Sequence, residues 1–375
     1  MKILYSRAVS DGAILKDGAL GVSDGRFSAD LSGEVLDLTK YTVCPGFIDM
    51  HTHGGGGIDS MKASEEELDK LSLHYASCGV ATFNATSVTA SLDDVVAAIH
   101  RVKNVMKKGT SGAVLNGIYL EGPYLNAKCR GAHDESLLRA INIDELKMLV
   151  DEGEGAVKVV TLAPDLEGVC DAVRYLRSRG VKVSLGHSPA TGDEANSAID
   201  AGGNIAVHTY NAMAPLNHRN VGLLGMSLIR DDVYNELICD LIHVCPEAIK
   251  IVYKCKNPRN VVLITDSMDA ANMPDGEYML GTLKVFVKDS IARIENGALA
   301  GSTLCSNIAL KNVVNTIGIP LETAVLGLTL NPANALGLTD VGSLQAGFRA
   351  HLTALDDDFN VVLTMVDGKI VYDKR

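Results

Sequence analysis

The sequence contains no long apolar run and no excess of positive charge. No apolar run approaches the ~18 residues that a helix needs to cross a bilayer. The first twenty residues alternate apolar and polar types and lack the apolar core of a signal peptide. The formal net charge is −12, from 34 Lys and Arg against 46 Asp and Glu. Since this surplus disfavours binding to polyanions, we expect neither nucleic acid nor a membrane among the partners of this protein.

Paired cysteines are also missing. The eight cysteines are scattered from Cys44 to Cys305, and no two of them form a CxxC pair. Small disulfide-stabilised proteins and many cysteine-based zinc sites have more regular spacings. This distribution favours reduced thiols over a disulfide framework, and we therefore expect a cytoplasmic protein.

The middle of the chain alternates strand and helix signals, which is typical of βα units. Eight such units predict a parallel sheet with right-handed crossovers. No GxGxxG follows the first strand, as a dinucleotide-binding fold would require, and the count favours a closed (β/α)₈ TIM-like barrel over residues 45–344. The apolar runs end at His53, near Ser87, and at Glu121, Pro164, His187, His208, Asp240 and Asp266.

The two ends of the chain have a different pattern. Residues 1–44 form short apolar stretches separated by Asp-Gly turn signals, and residues 345–375 have a similar pattern. We predict that these segments pair into one small β-sandwich domain beside the barrel. Strand-like residues 282–287 and 290–294 also predict a β-hairpin insertion in the barrel, near 274–298.

Two histidines follow the first apolar run of the barrel. We interpret the run from Thr42 to Ile48 as one buried strand, with His51 and His53 at its end. Because side chains alternate along a strand, the two imidazoles point to the same side, as metal ligands would. The HxH pattern alone is weak, because short motifs recur by chance. Further ligands at the ends of other predicted strands would distinguish a metal site from two ordinary histidines at a strand end.

Those ligands are present at the ends of other predicted strands, where a βα barrel carries its catalytic groups. Nitrogen and oxygen ligands suit Zn²⁺, Fe²⁺, Mn²⁺ or Co²⁺ and disfavour Ca²⁺, which prefers more oxygens. Six ligands exceed the needs of one tetrahedral ion, so the set allows one or two divalent ions, with Glu121 as the bridge. The predicted metal ligands are His51, His53, Glu121, His187, His208 and Asp266.

This ligand set also predicts a reaction. A water bound to such an ion becomes a hydroxide nucleophile near neutral pH. Asp266, at the end of the eighth strand, is in position to accept its proton and later to deliver one to a leaving group.

The same residues carry a resemblance to the amidohydrolase superfamily, and within it to the deacetylases of phosphorylated amino sugars. The HxH pattern marks only the superfamily, whereas LEGP, HxYNAM and PDGxYxLG are more specific. The match covers almost the full length, through PGFIDMHTHG (45–54), LEGPYLN (120–126), KCRGAHDE (128–135), LGHS (185–188), HTYNAMAPLNHR (208–219), DLIHV (240–244), TDSMDA (265–270), PDGEYMLG (274–281) and AGS (300–302).

The resemblance implies that the acetamide of N-acetyl-D-glucosamine 6-phosphate is cleaved to D-glucosamine 6-phosphate and acetate. Glu121, His187 and His208 match the metal ligands common to the family, and His51 and His53 match the pair found where a second ion binds. Zn²⁺ is the first choice of metal.

The resemblance also implies roles in substrate binding. His133 matches the residue that polarises the substrate carbonyl, and Arg219 and His243 match a phosphate-binding pair that can be completed across a dimer interface, so a homodimer is expected. The full predicted set is His133, Asn211, Ala212, Arg219, His243, Ala300, Gly301 and Ser302.

Two departures from the family pattern concern loops. Leu241 stands where glycine is usual, which affects the loop that holds His243, and Val221 stands where proline is usual, after Arg219. Neither is a predicted metal ligand.

Two other activities remain as alternatives: deacetylation of the galactosamine epimer, and hydrolysis of a cyclic amide by an enzyme of the dihydroorotase or hydantoinase type. Cyclic amidases typically use a carboxylated lysine as the bridging ligand at a strand end. Here that position is Glu121, and Lys158 lies inside a predicted strand. A non-catalytic scaffold is disfavoured because no ligand is missing.

Overall fold

Strands predominate at both ends of the chain, and strands alternate with helices between them. The computed structural model describes all residues from 1 to 375. The strands are β1 (Lys2–Ser10), β2 (Ala13–Ser23), β3 (Arg26–Ser28), β4 (Val35–Asp37), β5 (Thr42–Pro45), β6 (Phe47–Thr52), β7 (Gly54–Gly55), β8 (Ile58–Asp59), β9 (Val80–Ser87), β10 (Val114–Leu120), β11 (Val157–Leu162), β12 (Lys182–Leu185), β13 (Ile205–Ala206), β14 (Tyr234–Ile238), β15 (Val261–Ile264), β16 (Gly276–Leu280), β17 (Leu283–Lys288), β18 (Ile291–Ile294), β19 (Leu352–Leu355), β20 (Val361–Val366) and β21 (Lys369–Asp373).

The helices lie mostly between the barrel strands. Their starts follow local sequence: Ser64 and Glu67 form a capping box before α1, and Pro246 occupies the first turn of α7. None of them combines the length and apolar character needed to span a bilayer. The helices are α1 (Glu65–Ser77), α2 (Leu92–Lys108), α3 (Ile143–Gly153), α4 (Val169–Ser178), α5 (Gly192–Asp200), α6 (Gly222–Ile229), α7 (Pro246–Cys255), α8 (Ser306–Lys311), α9 (Leu321–Leu326) and α10 (Leu330–Leu336).

Eight parallel strands form the predicted barrel. They pair in the order β6-β9-β10-β11-β12-β13-β14-β15. Between the last and the first strand, the backbone N–H of Asp266 donates to the carbonyl of His51 at 3.0 Å. The hydroxyl of Thr265 donates to the Asp49 carboxylate at 2.6 Å. The (β/α)₈ architecture is therefore confirmed, and a continuous cluster of 76 buried residues fills the barrel and its contacts with the helices.

The two ends of the chain pair with each other in one sheet. Its order is β21-β20-β19-β5-β1-β2-β3, and β4 also pairs with β1. A separate cluster of fifteen buried residues, which includes Ile3, Phe27 and Leu363, packs on this sheet. The terminal strands thus have a core of their own, and their independence as a domain over 1–44 and 345–375 stays a prediction.

The interpretation of Thr42 to Ile48 as one strand is wrong. β5 belongs to the terminal sheet and β6 to the barrel, and Gly46 separates them. The backbone there passes so close to the barrel that a Cβ on Gly46 would lie 2.4 Å from the Cβ of Ala81. Because only glycine fits this approach, the chain can change sheets within one residue.

The insertion after β15 is a three-stranded antiparallel sheet of β16, β17 and β18. The two strands expected there are present, and Gly276–Leu280 adds a third. The sequence Pro274-Asp275-Gly276 is typical of a turn, and for this reason the strand that begins at Gly276 was not predicted. Gly281, with φ +59°, makes the turn between β16 and β17.

We predict that Leu363→Ala lowers the free energy of unfolding by about 2–5 kcal/mol, because it leaves a cavity in the core of the terminal sheet. Leu363 is 0% exposed, whereas Ile370 on the neighbouring strand is 37% exposed. Ile370→Ala serves as the control and should cost less than about 1 kcal/mol. Urea titration followed by circular dichroism measures both, and equal losses would contradict a packed core at Leu363.

Candidate functional site

All six predicted metal ligands lie at the same end of the barrel, at or just beyond the carboxyl ends of its strands. His51 lies within β6 and His53 directly after it. Glu121 follows β10 directly, whereas His187, His208 and Asp266 each lie two residues beyond their strand. All six are buried, with exposures between 0% and 8%.

Glu121 lies at the centre of this group. Its Oε1 is 2.9 Å from Nε2 of His208 and 3.0 Å from Nε2 of His187. Its Oε2 is 3.1 Å from Nε2 of His53 and 3.6 Å from Nε2 of His51. Oε1 thus faces His187 and His208, whereas Oε2 faces His51 and His53.

Asp266 completes the half of the site that contains His51 and His53. Its Oδ1 is 3.0 Å from Nε2 of His53 and 3.6 Å from Nε2 of His51. One possible ligand atom from each of these three residues lies within 4.8 Å of the others, as expected for a metal-binding group. A second such group consists of Glu121, His133 and His187.

The direction of the histidine lone pairs fits a cation. Nδ1 of His187 lies 3.0 Å from the carbonyl oxygen of Cys129, which can only accept a hydrogen bond, so Nδ1 carries the proton. The lone pair of Nε2 then faces a carboxylate oxygen and Nε2 of His208 at 2.9 Å. Burial lowers the pKa of His187 to about 4, which keeps the ring neutral. Electron pairs that converge in this way fit a divalent ion between them.

The charges in the second half of the site are strongly coupled. Burial opposes ionisation of Asp266, but the hydrogen bond from His53 and the charges of His51 and His53 lower its pKa to about 2. Burial likewise opposes protonation of His53, whose pKa is nevertheless raised to about 9 by its hydrogen bonds to Asp266 and Glu121. Asp266 is therefore ionised at neutral pH and able to accept a proton.

A cavity of about 440 Å³ opens above the predicted ligands. Five of the eight predicted substrate-binding residues line it: His133, Asn211, Ala212, His243 and Gly301. Leu280, from the inserted sheet, and Lys128 also line it, and neither is in the predicted substrate-binding set.

Hydrogen bonds from Thr89 determine which ring nitrogen of the neutral His133 side chain carries the proton. The backbone N–H of Thr89 lies 3.2 Å from Nδ1 of His133, and its hydroxyl lies at 2.8 Å. A backbone N–H can only donate, so Nδ1 accepts and the ring proton of the neutral imidazole is on Nε2. That nitrogen is 3.6 Å from Glu121 Oε2 and can donate to a carbonyl in the cavity. Thr89 lies 44 residues from His133 in sequence and was not among the predicted site residues.

Asp240 holds His243 instead of joining the metal ligands. Its Oδ2 is 2.6 Å from Nδ1 of His243, and its Oδ1 accepts the backbone N–H groups of Ile242 and His243, each at 2.8 Å. Leu241 has φ +66° in this turn. That left-handed conformation explains the usual glycine there, because a side chain at this position is strained.

Three predicted substrate residues lie away from the cavity lining. Arg219 is exposed in the loop before α6. Ala300 is fully buried, and the hydroxyl of Ser302 donates to the carbonyl of Thr265 at 2.6 Å. Val221 has φ −69°, which a proline also adopts, so the second departure leaves the backbone unchanged.

A further buried carboxylate, beside His51, was also absent from the predicted site residues. Glu236 lies in β14, is 0% exposed, and places Oε2 2.9 Å from Nδ1 of His51. The only signal was a single acidic residue within the short strand Tyr234–Ile238. Sequence periodicity cannot show its partner, which is 185 residues away.

Comparison with known proteins relates this site to a family. A model of the amidohydrolase family matches residues 42–371. The chain is 39% identical to an N-acetylgalactosamine-6-phosphate deacetylase from Escherichia coli O157:H7, over 97% of both chains. It is 38% identical to an N-acetylglucosamine-6-phosphate deacetylase from Vibrio furnissii, over 93% of this chain and 87% of the relative.

A solved structure is similarly close. A mutant N-acetyl-D-glucosamine-6-phosphate deacetylase from Mycobacterium smegmatis, in complex with N-acetyl-D-glucosamine-6-phosphate, is 33% identical to this chain. The superposition covers 99% of both chains with a TM-score of 0.95. The likeness therefore includes the terminal sheet and the inserted sheet as well as the barrel.

Proposed function

The chain belongs to the amidohydrolase family, and we propose that it hydrolyses the acetamide of N-acetyl-D-glucosamine 6-phosphate to D-glucosamine 6-phosphate and acetate. The observation that carries this proposal is the position of Glu121 between two histidine pairs, beside His133 and Asp266, at the floor of a cavity that also contains His243. The named activities of the relatives supply the substrate class.

The proposed ligands are His51, His53, Glu121, His187, His208 and Asp266, which we expect to hold one or two divalent ions. Zn²⁺ is our first choice, and Fe²⁺, Mn²⁺ and Co²⁺ suit the same nitrogen and oxygen donors. When bound, such an ion polarises the substrate carbonyl and lowers the pKa of water toward neutrality.

The side chains around the cavity supply the remaining steps. His133, protonated on Nε2, donates a hydrogen bond to the amide oxygen and stabilises the charge that develops there. Asp266, ionised at neutral pH, accepts a proton from the attacking water and delivers it to the departing amine. Both roles are proposals supported by the geometry around Glu121.

Phosphate binding is assigned to His243 and Arg219. His243 lines the cavity, and in its imidazolium form, with Nδ1–H held by Asp240, it can donate Nε2–H to an anion. Arg219 is exposed outside the cavity. We therefore propose a homodimer in which each Arg219 completes the phosphate site of the other copy, through the paired hydrogen bonds that a guanidinium offers to phosphate.

A second candidate substrate is N-acetyl-D-galactosamine 6-phosphate. The Escherichia coli relative named for that activity is 39% identical to the chain, and the Vibrio furnissii relative named for the glucosamine epimer is 38% identical. The cyclic amidase alternative is not supported, because the bridging position is Glu121 and Lys158 lies inside β11. We propose a cytoplasmic location because all eight cysteines are free thiols.

The direct test is acetate release. We predict release from N-acetyl-D-glucosamine 6-phosphate, its loss after treatment with EDTA, and its return when Zn²⁺ is added. A parallel reaction with N-acetyl-D-galactosamine 6-phosphate compares kcat/KM for the two epimers. Faster release from the galactosamine epimer would select the second candidate, and no release from either would refute the proposed activity.

We predict that Asp266→Asn lowers kcat by about 10²- to 10⁴-fold, because it removes the proton acceptor. The ion at Glu121, His187 and His208 should remain, since these proposed ligands are unchanged, and elemental analysis of the purified variant measures it. Turnover within tenfold of wild type would exclude this role for Asp266.

We predict that Arg219→Ala raises KM for the phosphorylated sugar by about 10- to 100-fold, because a charge-assisted hydrogen bond contributes roughly 1.5–3 kcal/mol. KM for unphosphorylated N-acetyl-D-glucosamine should change little. Arg219→Lys keeps the charge without the planar fork and should give an intermediate value. Equal changes for both sugars would reject Arg219 as a phosphate ligand.

A further inference from the structure

Glu236 is a fully buried carboxylate whose position no proposed catalytic step explains. Its Oε2 lies 2.9 Å from Nδ1 of His51 and 3.3 Å from the backbone N–H of His208. Its Oε1 has no hydrogen-bond partner. A buried carboxylate with one unpaired oxygen is unfavourable for folding, so packing alone does not account for this residue.

The carboxylate determines which nitrogen of His51 faces the site. Oε2 of Glu236 accepts the backbone N–H of His208, and as an acceptor it takes a second hydrogen bond from Nδ1 of His51, which therefore carries a proton. Nε2 of His51 has no hydrogen-bond partner and lies 3.6 Å from both Glu121 Oε2 and Asp266 Oδ1. Those distances exceed an ordinary hydrogen bond, so Nε2 points between the two carboxylates without a hydrogen bond to either.

Among the four histidines proposed as ligands, only His51 has a carboxylate on the nitrogen that faces away from the site. His187 has the backbone carbonyl of Cys129 at that position, and Nδ1 of both His53 and His208 lacks a partner. A carboxylate behind an imidazole fixes its tautomer and strengthens it as a donor to metals. The effect of Glu236 is therefore directed at the half of the site formed by His51, His53 and Asp266.

We propose that Glu236 is a positioning residue that orients His51 and so allows this chain to hold a second divalent ion at His51, His53 and Asp266. The inference rests on the metal centre of the proposed function. It adds the reason why this chain supports two ions: the barrel supplies a carboxylate from β14 behind a ligand from β6.

The test is titration of the full-length, chelator-stripped chain with Co²⁺ alone, followed by visible absorption and equilibrium dialysis. Wild type should bind two ions. Glu236→Leu should weaken the binding of one ion by about 10- to 100-fold and leave the other unchanged. Glu236→Gln keeps an acceptor for the His51 N–H without the charge, and should give an intermediate affinity.

Two controls separate positioning from a general structural role. Tyr119→Phe changes another buried neighbour of His51, whose ring centroid is 4.6 Å from that of His51, and should leave both affinities unchanged. The metal-free Glu236→Gln chain should unfold at a temperature close to that of wild type, because its amide oxygen still accepts the His51 N–H. Glu236→Leu leaves that N–H unpaired and should unfold at a lower temperature.

Three results would overturn the proposal: a single ion in wild type, unchanged affinities in Glu236→Leu, or equal weakening of both ions in Glu236→Gln together with a lower unfolding temperature. None of these readouts involves turnover. Failure of the proposed deacetylase activity would appear only in the acetate assay, and the two hypotheses therefore fail independently.

Discussion

The structure depends on how the charge of one buried carboxylate, Glu121, is compensated. A carboxylate removed from water is costly unless charges or hydrogen bonds surround it. Here both oxygens face imidazole nitrogens, with His187 and His208 on one side and His53 on the other. These partners come from different strands of the barrel. The site can therefore form only when the sheet closes, and its first and last strands meet where Asp266 donates to the carbonyl of His51.

Several of the groups that meet at Glu121 have strained backbones. His187, His208 and Asp266 have φ values of +48°, +25° and +49°, in the left-handed region that residues with side chains rarely adopt. Such conformations cost about 1–3 kcal/mol each and persist only where the surrounding structure fixes them. The 76-residue core supplies that constraint. The stability of the barrel thus maintains the unfavourable geometry of the site, and the two properties cannot be varied independently at these three positions.

The sequence predicted the barrel and the position of its ligands because both are periodic features. Six of the eight apolar runs end at a histidine or an acidic residue, and parallel strands of a barrel present those ends on one face. Contacts between distant residues have no such signature. The bonds of Glu236 to His51 and of Thr89 to His133 join residues 185 and 44 positions apart, and only the fold brings them together.

Local turn chemistry accounts for the other differences between prediction and structure. The apolar run from Thr42 to Ile48 has no polar break, so nothing in its periodicity shows that it contributes to two sheets. Asp240 lies just beyond a strand end, as the predicted metal ligands do. The turn that contains it, however, directs its carboxylate to His243. A strand-end position therefore predicts proximity to the site, whereas the partner of each side chain depends on the turn.

The single residue between β5 and β6 links the terminal sheet to the chemistry of the barrel. Gly46 fixes the spacing between the two sheets, and His51 follows it by only five residues. A shift of one residue in the pairing of β5 would also shift β6 by one residue. His51 and His53 would then point away from Glu121, because alternate residues of a strand face opposite sides. The terminal strands thus set the position of the first two predicted ligands. An insertion or deletion at this junction is expected to abolish activity while most of the core stays intact.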